Sequence, residues 1–174
     1  MRLRVVGMRV AAFFAALVLV VFVAWLVGGV EPYGPIAGGR LRGAPAESLP
    51  EDWSFVDRVA EVQVETHFGP LPWSVTTWCL EHQGRLYLPA RNCRSKRWVK
   101  NLLADPEVRV RIRGRVFELR AAEEKDPEIW RALIEQMLIK YLGIEAEQPQ
   151  PVTGVTPESQ GRAYGCAFRM EPRR

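Results

Sequence analysis

The sequence predicts an α+β fold in which an antiparallel β-barrel is flanked by helices and preceded by one N-terminal helix. Short runs of alternating apolar and polar residues recur between residues 62 and 121, which is the pattern of half-buried strands. Residues 126–143 place apolar side chains at helical spacing, and residues 10–30 are apolar or small throughout. Because several strands adjoin one another instead of alternating with helices, the sheet is predicted to be antiparallel.

The composition is that of one globular domain with an appendage. The chain has 174 residues, of which 48% are hydrophobic and 25% are charged, and these fractions exclude a disordered chain. The formal net charge is +4. A scattered surplus of this size suits an anionic ligand or a membrane surface and does not predict a nucleic-acid partner.

The three cysteines, Cys79, Cys93 and Cys166, lack the spacing of a metal site. Two of them fall in predicted strands, where a thiol packs as a small hydrophobic group. A structural role is the default interpretation, and a disulfide between two of them in an oxidising compartment stays open.

Residues 10–30 are long enough to cross a bilayer as a helix, so residues 1–30 are predicted to be a transmembrane anchor. Arg2, Arg4 and Arg9 precede the apolar run, which places the N-terminus in the cytoplasm and the domain outside it. A cleaved signal peptide is the alternative interpretation.

Residues 31–53 are rich in glycine, proline and alanine and are interpreted as a linker, so the folded domain is predicted to cover residues 54–174. A short helix is expected from Ser54, its N-cap, to residue 60, and a strand at residues 62–67. Gly69, Pro70 and Pro72 are expected to interrupt regular structure after it.

Strands at residues 75–80 and 86–89 are joined by a hairpin with Gly84 at the position of positive φ. Ser95 is expected to cap a helix that ends near Ala104, before Asp105-Pro106.

The next predicted strand, residues 108–112, alternates apolar residues with arginines and turns at Gly114 into residues 117–121. Its basic face consists of Arg109, Arg111 and Arg113. That face either binds an acidic ligand or is an exposed outer face of the sheet.

The helix at residues 126–143 opens with Asp126 as N-cap and Pro127 in the first turn, and Gly143 ends it. A proline-rich loop at residues 148–157 and a last strand at residues 162–170 complete the chain.

The basic segment at residues 91–97 is the clearest candidate for ligand binding. It places Arg91, Ser95, Lys96 and Arg97 beside a predicted helix N-terminus, where backbone N–H groups already favour an anion. The alternative is a solvated, arginine-rich loop. The sequence has no nucleophile–base arrangement and no phosphate-binding glycine loop, so any catalysis must come from a bound cofactor.

The order strand, strand, basic helix, strand, strand, together with the phrase NLLADPEVRV at residues 101–110, resembles the pyridoxamine 5′-phosphate oxidase-like family of FMN-binding split barrels. The resemblance covers roughly residues 54–172. It implies an antiparallel split β-barrel, bound FMN, a redox reaction on a small-molecule substrate, and a homodimer with the cofactor site between subunits.

The resemblance also implies site residues. Lys96 and Arg97 would hold the cofactor phosphate, and Trp78 would lie near the flavin ring. The complete set of implied cofactor contacts is Val75, Thr76, Thr77, Trp78, Leu88, Pro89, Arg91, Ser95, Lys96 and Arg97.

Alternatives to FMN stay open. A deazaflavin ranks below FMN, because Lys96-Arg97-Trp98 stands where the deazaflavin-dependent branch carries a Gly-rich approach and a proline. Haem is a further possibility, with His67 or His82 as ligand. A cofactor-free binding module, for another protein or for anionic lipid headgroups, is the last.

Overall fold

The computed structural model describes residues 2–27, 30–143 and 165–173. In this part of the chain the helices are α1 (Arg2–Val27), α2 (Arg97–Ala104) and α3 (Pro127–Met137). The strands are β1 (Ala44–Pro45), β2 (Val62–Phe68), β3 (Leu71–Thr77), β4 (Leu80–His82), β5 (Arg85–Ala90), β6 (Glu107–Ile112), β7 (Arg115–Glu123) and β8 (Cys166–Pro172). Shorter elements are 3₁₀ turns at Ser54–Arg58 and Cys93–Ser95, and a π-helical turn at Leu138–Leu142.

Strands β2 to β8 form one sheet in the order β3-β2-β6-β7-β8-β5-β4, with antiparallel neighbours. The short β1 joins β7 in parallel through Ala44 and Pro45. β3 and β5 are far apart in this order yet contact each other, so the sheet curls. The predicted α+β class with a curled antiparallel sheet is confirmed.

The main core lies on one side of this sheet and follows the alternation of the strands. Val108, Val110 and Ile112 of β6 are buried, whereas the arginines between them are only partly buried. Phe168 of β8 and Trp98 of α2 belong to the same cluster. The period of two in the sequence therefore identifies the buried face correctly.

Helix α3 covers the other face of β5. Leu133 packs with Tyr87 of β5 and with neighbouring residues of β4 and β8. The start of α3 is as predicted, because the Asp126 carboxylate accepts the backbone N–H of Glu128 at 2.9 Å and Pro127 lies in the first turn.

Two strand predictions are wrong. Residues 75–80 are not one strand, because β3 ends at Thr77 and pairs with β2, whereas β4 begins at Leu80 and pairs with β5. Pro72 does not interrupt regular structure, since it lies in β3 opposite His67. β3 is an edge strand, where a proline without an N–H group is tolerated.

The first element of the predicted domain also differs from expectation. Ser54 does not cap a helix but begins a 3₁₀ turn that has Trp53 as its N-cap. The last strand begins at Cys166. The predicted loop at residues 148–157 and the first residues of the predicted strand, 162–164, lie outside the described residues.

The segment interpreted as a linker lies against the sheet. Gly38 forms an antiparallel bridge with Ser74 of β3. Leu41 is buried, and its backbone N–H donates to the Glu65 carboxylate at 2.6 Å. Residues 31–53 therefore cover the arginine face of β6, which their composition did not indicate.

Helix α1 exposes its apolar side chains, among them Phe13, Val18 and Phe22. Among the described residues, however, no helix combines the length and the apolarity that crossing a membrane requires, and the predicted transmembrane anchor is not supported.

Candidate functional site

The candidate phosphate site is the basic turn, residues 91–97, which links β5 to α2. Ser95 does not cap α2, because its hydroxyl donates to the Asn92 carbonyl oxygen at 2.8 Å and closes the 3₁₀ turn. Lys96 is the N-cap residue, and its side chain makes no capping hydrogen bond. Among the described residues, the first backbone N–H groups of α2 thus have no side-chain acceptor, which leaves them available to an anion.

The charges of this turn are mostly unneutralised. Arg94 pairs with Glu123 at 3.1 Å, and the Arg97 guanidinium lies 5.0 Å from the centre of the Phe68 ring. In the described part of the chain, the exposed side chains of Arg91 and Lys96 form no ion pair. Among the described residues, three cations of residues 91–97 thus lack a carboxylate partner, namely Arg91, Lys96 and Arg97, and they can bind a phosphate.

The β3 residues of the predicted site point to two faces of the sheet. Thr77 lies opposite Val62, and Val75 packs against the main core. Thr76 lies opposite Gln63, one residue out of phase. The two threonine side chains therefore cannot both contact one ligand on one face.

The basic turn and the β3 threonines also lie at different ends of the β2–β3 hairpin. Arg97 lies against Phe68, which pairs with Leu71 at the start of β3, whereas Thr76 and Thr77 end that strand. A strand advances about 3.3 Å per residue, so the two ends are roughly 20 Å apart. Within one described chain, the structure does not bring the predicted threonines to the predicted phosphate cations.

Leu88 and Pro89, the residues expected beside the ribityl chain, are buried in β5. The Leu88 side chain belongs to the main core, so only its backbone is available to a ligand. β4 pairs only with Arg85 to Tyr87 of β5 and does not reach Pro89. No β4 residue therefore needs an N–H donor at position 89, which explains why a proline is tolerated there.

An aromatic pair follows β3. Trp78 is 39% exposed, and its ring stacks on Tyr141 with 4.3 Å between centroids and 7° between planes. The Tyr141 hydroxyl accepts the Cys79 N–H at 3.0 Å and donates to the Cys79 carbonyl at 2.8 Å. Lys140 Nζ donates to the same carbonyl and to that of Val56, each at 2.8 Å. The π-helical turn after α3 therefore holds Trp78 in place with one ring face covered.

Sequence reasoning missed Tyr141 and Lys140 as partners of Trp78. It placed Tyr141 only in the apolar stripe of the helix, and no spacing signal links that helix to a peptide some sixty residues earlier. The one signal in the sequence was the hydroxyl of Tyr141 at the end of an apolar stripe, because a buried phenol needs a hydrogen-bond partner.

The arginine face of β6 and His67 have partners within the chain. Arg109 pairs with Glu65, and Arg111 pairs with Glu31 and receives support from Gln63. His67 Nδ1 lies 3.4 Å from Asp105 Oδ2. No cluster of three or more metal-ligating side chains occurs among the described residues.

Replacing Tyr141 with phenylalanine is expected to destabilise the fold by about 1–2 kcal/mol, because the buried Cys79 N–H loses its acceptor. Burial raises the pKa of Tyr141. The unfolded phenol ionises near pH 10 while the folded one keeps its proton, so its contribution is present below pH 10 and is lost above it. The free energy of unfolding, measured in urea, should therefore fall more steeply above pH 10 for the wild type than for Y141F. Burial also raises the pKa of Tyr87. Because Tyr87 is present in both proteins, its effect cancels in the comparison. Equal slopes would contradict the assignment.

Comparison with known proteins agrees with the fold. A structure of a proposed pyridoxamine 5′-phosphate oxidase from Listeria innocua has 16% identity and a TM-score of 0.50, over 70% of this chain and 90% of that one. A conserved hypothetical protein from Mycobacterium tuberculosis has 19% identity and a TM-score of 0.53, over 69% and 77%. The chain thus has the split-barrel fold that the sequence resemblance implied.

The family of F420H(2)-dependent quinone reductases matches residues 74–153, which is less than half of the chain. The matched region begins in β3 and contains the basic turn, α2 and α3. No curated protein matches the chain.

Proposed function

We propose that this protein is a redox protein that binds a flavin-type cofactor by its phosphate at the start of α2 and acts on a small molecule. The observation that carries the proposal is a set of three cations, Arg91, Lys96 and Arg97, which have no carboxylate partner among the described residues and lie near the uncapped start of α2. A split barrel that keeps such unneutralised charge at one turn is suited to an anionic ligand.

The deazaflavin F420 is proposed ahead of FMN, which reverses the order that the sequence favoured. The support is the match to the F420H(2)-dependent quinone reductase family, which includes the basic turn. Both cofactors join a planar tricyclic ring to a phosphate, so the same cations serve either one. The bound ring would supply hydride transfer, chemistry that no side-chain arrangement among the described residues provides.

The residues divide into two roles. Arg91, Lys96 and Arg97 bind and orient the phosphate, with Arg97 already fixed over Phe68. Trp78, with one face on Tyr141 and the other partly exposed, offers a flat surface for a ring. Because the two groups lie apart in one chain, a homodimer can complete the site with Trp78 of one subunit and the cations of the other.

Titration of the purified full-length chain with F420 and with FMN, followed by cofactor fluorescence, tests the proposal. We expect saturable binding of both, with F420 at least about tenfold tighter, a difference of about 1.4 kcal/mol. Tighter binding of FMN would overturn the order of the cofactors. Binding of neither would overturn the redox function and favour a cofactor-free binding module.

The homodimer is itself a proposal. It is supported by exposed apolar side chains around the β2–β3 hairpin and α2, namely Phe68, Leu71 and Leu103. Light scattering coupled to size exclusion should give twice the mass of the chain, and the mass of one chain would contradict it.

Membrane location, with the N-terminus in the cytoplasm, also remains a proposal. It is supported by Arg2, Arg4 and Arg9 before the apolar run and by the exposed apolar side chains of α1. Alkaline extraction of membranes should leave the full-length chain in the pellet, and complete release would contradict this location.

A further inference from the structure

Cys93 lies within residues 91–97, and Cys166 lies near this turn although the two residue numbers differ by 73. Cys166 begins β8 directly opposite Ala90, the last residue of β5. After Ala90 the chain leaves β5, and Cys93 begins the 3₁₀ turn that follows. Both thiols are free, and the residues are 7% and 8% exposed.

Both side chains belong to the main core cluster, and Cys93 is among the groups that raise the pKa of Cys166. The backbone at this point is also tightly packed, because a Cβ added to Gly165 would overlap the carbonyl oxygen of Ala90. The start of β8 thus lies directly against the end of β5, which carries the turn. Cys93 and Cys166 stand on the two sides of this contact, which makes them the pair of thiols that a disulfide can join.

Cys79 provides the contrast. It is fully buried after β3, and its Sγ lies 3.4 Å from the Val59 carbonyl oxygen and 3.8 Å from Lys140 Nζ. It has no thiol partner among the described contacts, and so it serves as an internal control.

We propose that Cys93 and Cys166 form a redox-active dithiol that low-molecular-weight disulfides oxidise to an intramolecular disulfide. The thiolate of Cys93 attacks the small disulfide, which forms a mixed disulfide and releases one small thiol. Cys166 then loses its proton and attacks the Cys93 sulfur, which closes the protein disulfide and releases the second small thiol. The protein loses two hydrogens and the small disulfide gains them.

The order of the two steps follows from the surroundings. Cys93 lies in a surface turn between the exposed residues Asn92 and Arg94. Burial and, to a smaller extent, the neighbouring Cys93 side chain raise the pKa of Cys166. Cys166 is therefore the poorer initial nucleophile, and it acts within the protein as the resolving thiol.

The cross-link would fix the turn that carries the candidate phosphate cations. It would join Cys93 to β8, on a turn that Arg94 already ties to Glu123 of β7. This consequence for cofactor binding rests on the proposed function, whereas formation of the disulfide does not.

The test equilibrates the full-length protein with oxidised and reduced glutathione, alkylates it under denaturing conditions and counts the modified cysteines by mass spectrometry. Oxidised wild type should retain one alkylated cysteine, Cys79, and reduced wild type should show three. C79S should still form the cross-link, and C93S and C166S should each abolish it. Diamide, a smaller oxidant, is used in parallel to overcome restricted access.

Three alkylated cysteines after both oxidants, or a cross-link that includes Cys79, would overturn the proposal. A second measurement compares FMN and F420 binding of the oxidised and reduced protein, for which we expect at least a threefold difference in affinity. If the disulfide forms and the oxidised and reduced proteins bind the cofactors with equal affinity, the proposed effect on cofactor binding is overturned, whereas the redox-active dithiol is supported. Loss of all cofactor binding in both forms would instead contradict the proposed function.

Discussion

Replacing Glu65 with leucine is expected to lower the free energy of unfolding by about 3–5 kcal/mol, because it leaves a partly buried charge without its partner. The Glu65 side chain is 3% exposed. It accepts Arg109 Nη1 at 2.8 Å and the Leu41 backbone N–H at 2.6 Å. The substitution therefore strands a guanidinium and a buried N–H, and it also releases the segment that covers β6.

Chemical denaturation of E65L and wild type measures this effect. The matched control is E118Q, since Glu118 is 59% exposed and pairs with Arg173 at 3.2 Å. It should change stability by less than about 0.5 kcal/mol. The double variant E65L/R109L should recover part of the loss, because no buried charge remains unpaired. A change in E65L as small as that of E118Q would contradict the role of the pair.

Replacing Lys96 and Arg97 together with alanine is expected to weaken cofactor binding about 100-fold. A hydrogen bond to a charged group contributes about 1.5–3 kcal/mol, and exposure at the turn places these two at the lower end. The sum of about 3 kcal/mol corresponds to roughly two orders of magnitude in affinity. Their removal should not affect folding, because both side chains are exposed.

The control for this variant is K125A/R131A, which removes the same charge from exposed positions on and before α3. Both variants are titrated with F420 and FMN after circular dichroism has shown that they are folded. K125A/R131A should bind as wild type does. If K96A/R97A also binds as wild type does, the phosphate lies elsewhere and the placement of the site is wrong.

Local patterns predicted those parts of the fold that depend on local sequence. The alternation in β6 and β8 follows from the period of a strand, and Asp126 and Pro127 mark the start of α3 because caps are local chemistry. The basic turn was found for the same reason, since Arg91 to Arg97 are contiguous in the sequence.

Features that depend on distant contacts were missed. The break between β3 and β4 exists because β3 pairs with β2 and β4 with β5, a choice of partner that residues 75–80 do not encode. The docking of Leu41 on Glu65 and of Tyr141 on Cys79 likewise joins residues remote in sequence. The roles of Thr76 and Thr77 were expected from resemblance, and their alternating faces limit one ligand to one of them.

A crystal structure of the chain with bound F420 would show directly where the phosphate and the ring of the cofactor lie. We predict that the cofactor phosphate lies at the start of α2, with its oxygens about 2.7–3.1 Å from Lys96 Nζ or the Arg97 guanidinium, and that the ring lies against the free face of Trp78 of the partner subunit. A phosphate held away from the turn between β5 and α2, with these cations left in solvent, would contradict it.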